Sequence, residues 1–258
     1  MVQDCSHERV RALVIANYHR PQTVDEAVIL AGRPDTVLLA GGTIVNAEPA
    51  SFNGDVVDLQ ALDIIGIEAV AGGIRIGAIT TLRSIASSDL VPDLVRDLAH
   101  REGPNTVRNA ATIGGTVGAM DPTSPLLTAL LGLRATVSVV HPEMTMDHPI
   151  DALLEDPSLL DRSLITHVTI RDAGSAAAET TGRTPLDTPI VLAVAHRSRT
   201  GDLTVAAAGV SDRPVLVDRA HLDDLEPPGD FRGSPEYRRA LARVLVDRAI
   251  AGIDGGGR

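Results

Sequence analysis

The sequence predicts an α+β fold in two parts. Three observations predict it. Short β-type runs alternate with segments of helical periodicity up to residue 170, and a glycine-doublet hairpin stands at residues 67–77. The composition then shifts to small Ala, Ser, Thr and Gly residues at 172–182, beyond which strand-like runs precede one long helix.

The elements follow in order. After a polar start, Tyr18-His19-Arg20-Pro21 leads into Thr23 and Glu26, whose spacing of three predicts a capping box for a helix running to about Gly32. Residues 36–40 read as a buried strand that stops at Gly41-Gly42-Thr43, and residues 56–59 as a second short strand. Residues 67–71 and 74–77 alternate around Gly72-Gly73 as a hairpin does. Helical spacing recurs at 81–87 and 92–101, with Pro92 suited to a first turn and Gly103 to a stop. Residues 105–116 carry too much Gly, Thr and Asn for a helix and are expected to form a loop. Residues 125–133 are again helical, and 135–140 and 164–170 are strands. Residues 172–182 read as a linker or mobile loop. Strands at 189–196, 203–210 and 215–217 precede an Arg-rich amphipathic helix from about 235 to 251, in which Tyr237 is expected to pack inward and Arg238 and Arg239 to face solvent.

Composition narrows the function. At 258 residues and 44% hydrophobic content the chain is long and apolar enough for a real core of one large domain or two modest ones. A single cysteine, Cys5, allows no internal disulfide, no multi-cysteine zinc site and no iron–sulfur cluster on this chain. All 23 basic residues are arginine, which excludes a P-loop lysine and any lysine Schiff base. The net charge of −11, with scattered arginines, argues against a nucleic-acid surface. Neither a membrane span nor a signal peptide is evident, and the cytoplasm is the expected compartment.

The histidines show no metal-ligand spacing and no acid–base constellation stands out, so neither catalytic residues nor a metal is expected here. Two glycine doublets each precede a threonine: Ala40-Gly41-Gly42-Thr43 and Thr112-Ile113-Gly114-Gly115-Thr116. Adjacent glycines let the chain turn tightly and let an anion approach backbone N–H groups with no Cβ in the way. Without lysine, a pyrophosphate would rely on such donors with help from an arginine such as Arg108.

With these motifs the chain resembles the flavin-binding (medium) subunits of molybdenum hydroxylases, the xanthine dehydrogenase and aerobic carbon monoxide dehydrogenase flavoprotein family. The similarity starts at Tyr18-His19-Arg20-Pro21 and passes through Leu39-Ala40-Gly41-Gly42-Thr43 and Ile76-Gly77-Ala78-Ile79-Thr80-Thr81-Leu82. It continues through Val107-Arg108-Asn109-Ala110-Ala111-Thr112-Ile113-Gly114-Gly115 and ends near Tyr237-Arg238-Arg239. The resemblance implies a vanillyl-alcohol-oxidase (PCMH)-type FAD-binding fold. Two α/β subdomains, about 1–60 and 61–172, would form an FAD-binding domain over 1–172, and a small C-terminal α+β domain would occupy 183–258. It further implies that Leu39, Ala40, Gly41, Gly42, Thr43, Ile44 and Val45, together with Thr112, Ile113, Gly114, Gly115 and Thr116, hold FAD. Thr81, Arg108, Leu164 and Ile165 are further candidates.

The implied role is electron transfer. A molybdopterin-binding large subunit and a [2Fe–2S] small subunit would be the partners, and FAD on this chain would pass electrons to an acceptor. The family's pattern has Asn or Asp where Thr116 stands and Asp where Pro125 stands, with Asp121 nearby. The stretch before Arg183 and Asp187 also lacks the family's frequent lysine and aromatic residue. These departures imply altered FAD affinity or tuning, and they motivate the alternative of a non-catalytic scaffold subunit that has lost FAD.

Overall fold

The structure, a computed structural model, describes residues 14–44, 53–171, 174–182 and 187–255. The described residues form three sheets. The first is parallel, with β1 (Val14–His19), β2 (Thr36–Leu39) and β3 (Asn53–Asp58) in the order β1-β3-β2. Helix α1 (Val24–Ala31) links β1 to β2. Its N-cap Thr23 hydroxyl accepts from the Glu26 N–H at 3.2 Å while the Glu26 carboxylate accepts from the Gln22 N–H at 3.0 Å, so the capping box forms with its return bond one residue early. Strand β1 adds to the expected elements: its pairing with β3 over five positions imposes extension on a segment with little alternation of its own.

The second sheet is antiparallel in the order β4-β5-β8-β6-β7, from β4 (Ile67–Val70), β5 (Gly73–Gly77), β6 (Thr136–Val140), β7 (Thr145–Pro149) and β8 (Leu164–Ile170). The hairpin turn falls on Ala71-Gly72, with Gly72 at φ 78°, whereas Gly73 already pairs with Val70. Gly73 is needed for another reason: a Cβ there would lie 2.0 Å from the Ile170 carbonyl oxygen. Six helices accompany this sheet: α2 (Leu82–Ala86), α3 (Asp93–Arg101), α4 (Asn105–Arg108), α5 (Ile113–Ala119), α6 (Pro125–Gly132) and α7 (Ile150–Glu155).

The third sheet, also antiparallel, runs β12-β11-β10-β9, from β9 (Ser175–Thr181), β10 (Val191–Arg197), β11 (Leu203–Ala208) and β12 (Val215–Leu216), and is backed by α8 (Pro235–Gly255). Helix α6 is buried along its whole length because it packs against α3 on one side and β10 and β11 on another, where Leu98, Ala129, Leu192, Val194 and Ala208 share one core cluster. No helix among the described residues is long and apolar enough to cross a membrane.

Three sequence expectations are corrected. Residues 105–116 are not a loop, since they contain α4 and the start of α5. Ile113 and Val117, four apart and fully buried, supply a helical face that the surrounding glycines and threonines obscure. Residues 175–181 are not a linker, because β9 pairs with β10 over seven positions and its small side chains suit the approach of α8, where a Cβ on Gly252 would lie 3.1 Å from that of Ala177. On α8 the inward residue is Arg238, 3% exposed, which donates to the carbonyls of Ile190 and Gly209 and pairs with Asp230 at 2.7 Å, while Tyr237 is 47% exposed.

Candidate functional site

A cavity of about 500 Å³ opens where the first and second sheets meet. One wall is the loop after β2, from Ala40 to Ile44; the other is α5 with the segment leading to α6, and Leu164 and Ile165 of β8 lie between them. The lining is mainly apolar, and its charged side chains are Glu102 and Asp121.

The two Gly-Gly-Thr strings contribute to this cavity in different ways. In the first, the backbone N–H groups of Gly41, Gly42 and Thr43 find no acceptor among the described residues, and Gly42 adopts φ 69°, the left-handed conformation that favours glycine. Gly41 must be bare for close packing, because a Cβ would come within 1.8 Å of the Ala110 carbonyl oxygen. The loop therefore presents open N–H donors at the cavity, held against the segment that precedes α5.

In the second string the N–H groups of Ile113, Gly114, Gly115 and Thr116 all have protein partners. The Ile113 and Gly114 N–H groups donate to the carbonyls of Thr80 and Ala78 at 3.1 and 2.8 Å. Those of Gly115 and Thr116 donate to the Thr112 hydroxyl and carbonyl at 3.1 and 2.9 Å, and the Thr116 hydroxyl donates to the same carbonyl. This string is a helix start, and its glycines serve shape. A Cβ on Gly114 would press on Ala78 at 2.8 Å, whereas Gly118, one turn on, borders the cavity with nothing within 4 Å of its missing Cβ.

Of the residues singled out from sequence, Ala40, Gly41, Gly42, Thr43, Ile44, Thr112, Gly114, Gly115, Thr116, Leu164 and Ile165 line the cavity. Val45 lies outside the described residues. Leu39 and Ile113 sit beside lining residues without lining it themselves, and Ile113 is fully buried. Thr81 caps α2 and forms an isolated β-bridge with Thr112, which pins the start of α5. Arg108 is turned away: its buried guanidinium donates to the carbonyls of His100, at 2.8 Å, and Gly103, and to the Asn105 side chain at 3.0 Å. An anion here would meet backbone N–H groups and no arginine among the lining residues.

Sequence reasoning missed Leu38, Leu59, Ala78, Ile79, Glu102 and Ser163, which also line the cavity. They come from distant parts of the chain and carry no local motif. Glu102 is held by Ser124 Oγ at 2.6 Å and the Leu126 N–H at 2.9 Å. Burial is the main cause that pushes its carboxyl up to about 7, and the charge of Asp121 adds to it.

Known proteins resemble this chain over most of its length. Residues 12–170 match the sequence profile of the FAD binding domain in molybdopterin dehydrogenase. The uncharacterized protein YgfM of Escherichia coli K12 is 28% identical over 250 residues, covering 90% of this chain and 94% of that protein. The glyceraldehyde dehydrogenase medium chain of Sulfolobus acidocaldarius is 27% identical over 271 residues, covering 91% and 96%. Among solved structures, a chain of the carbon monoxide dehydrogenase from Hydrogenophaga pseudoflava superposes with a TM-score of 0.85 at 22% identity, covering 94% of this chain and 97% of that one, and so shares the fold. With a profile that spans most of the chain and a cavity built from its glycine motifs, the protein belongs to the FAD-binding domain family of molybdopterin dehydrogenases, as the FAD-binding medium subunit of an oxidoreductase.

Proposed function

We propose that this chain is the flavin relay of a molybdenum hydroxylase complex: it takes electrons from the [2Fe–2S] clusters of a small subunit, whose own source is a molybdopterin-binding large subunit, and delivers them to an acceptor. The observation that carries the reading is the loop Gly41–Thr43, which lines a largely apolar cavity and whose N–H donors find no acceptor among the described residues. On the opposite wall Gly115 and Gly118 carry no side chain, so the residues present fit an extended dinucleotide. When bound, FAD supplies reversible two-electron chemistry that can also proceed one electron at a time. The residues of this chain orient it. The loop N–H groups hold the pyrophosphate, and Leu164, Ile165 and Ile79 exclude water from the interior. One cysteine cannot hold a cluster, so the electron source sits on another chain, as the designation "medium chain" of its relative also suggests. We place the complex in the cytoplasm, and assign FAD to the unit over 1–172, with 183–258 as a separate C-terminal unit.

The test is the visible spectrum of the complex before and after anaerobic addition of a reducing substrate. Released FAD, together with bleaching of flavin absorbance that follows cluster reduction, is the expected result. Cluster reduction with an unchanged or absent flavin band would overturn the relay. That outcome would favour the second reading, a scaffold subunit that has lost FAD, which is motivated by a cavity lined by two carboxylates and no cation.

A further inference from the structure

Glu102 is a cavity carboxylate with no part in the relay as described. It follows the last residue of α3 and meets the start of α6, where it completes the N-terminal cap. Ser124 Oγ already accepts from the Leu127 N–H at 3.0 Å and Pro125 has no N–H, so Glu102 takes the two remaining donors, the Ser124 hydroxyl and the Leu126 N–H. This fixes the carboxylate at the cavity wall.

The charged groups around it come from three elements. Asp121 lies on the segment between α5 and α6, with one oxygen engaged by Thr123. Arg108 of α4 is committed to the carbonyls of His100 and Gly103 and to Asn105. On α3 itself, Arg101 pairs with Asp97 at 3.0 Å, and His100 gives its carbonyl to Arg108. No cation pairs with Glu102 among the described residues. FAD brings the two negative charges of its pyrophosphate into the same cavity, so an ionised Glu102 opposes binding, whereas a protonated one lessens the repulsion and offers an O–H donor to a cofactor oxygen.

We propose that Glu102 takes up a proton as FAD binds, which makes cofactor affinity depend on pH near neutrality; the inference rests on FAD being the ligand of this cavity. Its sign follows from the carboxyl's position at about 7 in the free protein. The incoming anion raises the proton affinity further. Binding is then strongest where the carboxyl is already protonated and weakens as pH rises through and above about 7, approaching tenfold per pH unit for one linked proton.

The experiment uses the full chain, with any subunits that purify with it, stripped of flavin. FAD is titrated by quenching of its fluorescence from mildly acidic to mildly alkaline pH, a range in which FAD keeps its own charge, and by calorimetry in two buffers of different ionisation heat. The expected result is affinity that falls with pH and an uptake of protons approaching one. Glu102→Gln keeps an acceptor for Leu126 and an amide for Ser124 without a charge; its affinity should stay at the wild-type acidic value at every pH, with no proton uptake. Asp121→Asn should move the fall to lower pH without abolishing it. A wild-type affinity independent of pH, or a Glu102→Gln protein with the wild-type profile, would overturn the proposal. A folded chain that binds no FAD at any pH would overturn the cofactor reading and the proposal with it.

Discussion

Gly41 and Gly118 lack side chains for opposite reasons, and substitution separates the two. Gly41 is pressed against the Ala110 backbone, so Gly41→Ala forces the loop away from the α5 side, lowering both stability and FAD affinity. Gly118 faces open cavity from within a helix, where glycine is an unfavourable residue by about 1 kcal/mol. Gly118→Leu should therefore leave the melting temperature unchanged or higher while weakening FAD binding at least about tenfold, roughly the cost of one misplaced bulky group. Differential scanning fluorimetry without and with FAD reads both. Arg108 reverses its expected role. With its guanidinium bonded to two carbonyls and a side-chain oxygen, Arg108→Ala should cost about 3 kcal/mol in urea unfolding and leave the salt dependence of FAD affinity unchanged. The motif string was legible in the sequence, but which member faces the ligand was not, because that depends on what each N–H meets across the fold.

At the scale of elements, strands with aliphatic runs, such as β2, β6, β8 and β10, could be read directly, as could α1 from its capping residues and α6 from Ser124-Pro125 and its unbroken apolar run. β1 and β9 could not. β1 shows no clean alternation and β9 is made mostly of small residues, and each is extended because a neighbour pairs along it, β3 in one case and β10 in the other. Strand β9 provides the check. If it were a linker its amides would exchange with solvent within the mixing time, whereas those pairing with β10 are expected to show protection close to that of β10 itself in hydrogen-exchange mass spectrometry. The same logic explains α5, where hydrogen bonds to Ala78 and Thr80 fix the first turn of a segment whose glycines oppose helix formation.

At the scale of the whole molecule, the cavity lies between two hydrophobic clusters, one under the first sheet and one beneath the second, so FAD bound there would bridge their edges. Saturation at a hundredfold excess over Kd should add about 2.7 kcal/mol and raise the melting temperature by roughly 5–10 °C. A shift confined to the transition of the C-terminal sheet would place the ligand elsewhere. The cluster under the first sheet carries a further consequence. It joins Ala27, Val28 and Val57 with Ala78 and Ile79, and it is closed by Leu164 of β8. As the polypeptide leaves the ribosome, the N-terminal layer emerges first yet remains without its lid until more than a hundred further residues have been synthesised. The cavity lacks its Leu164 and Ile165 lining before then, so flavin insertion is expected to be a late event in the life of the nascent chain. A truncation ending before β8 should yield an N-terminal fragment that requires chaperone protection and is not a miniature flavoprotein.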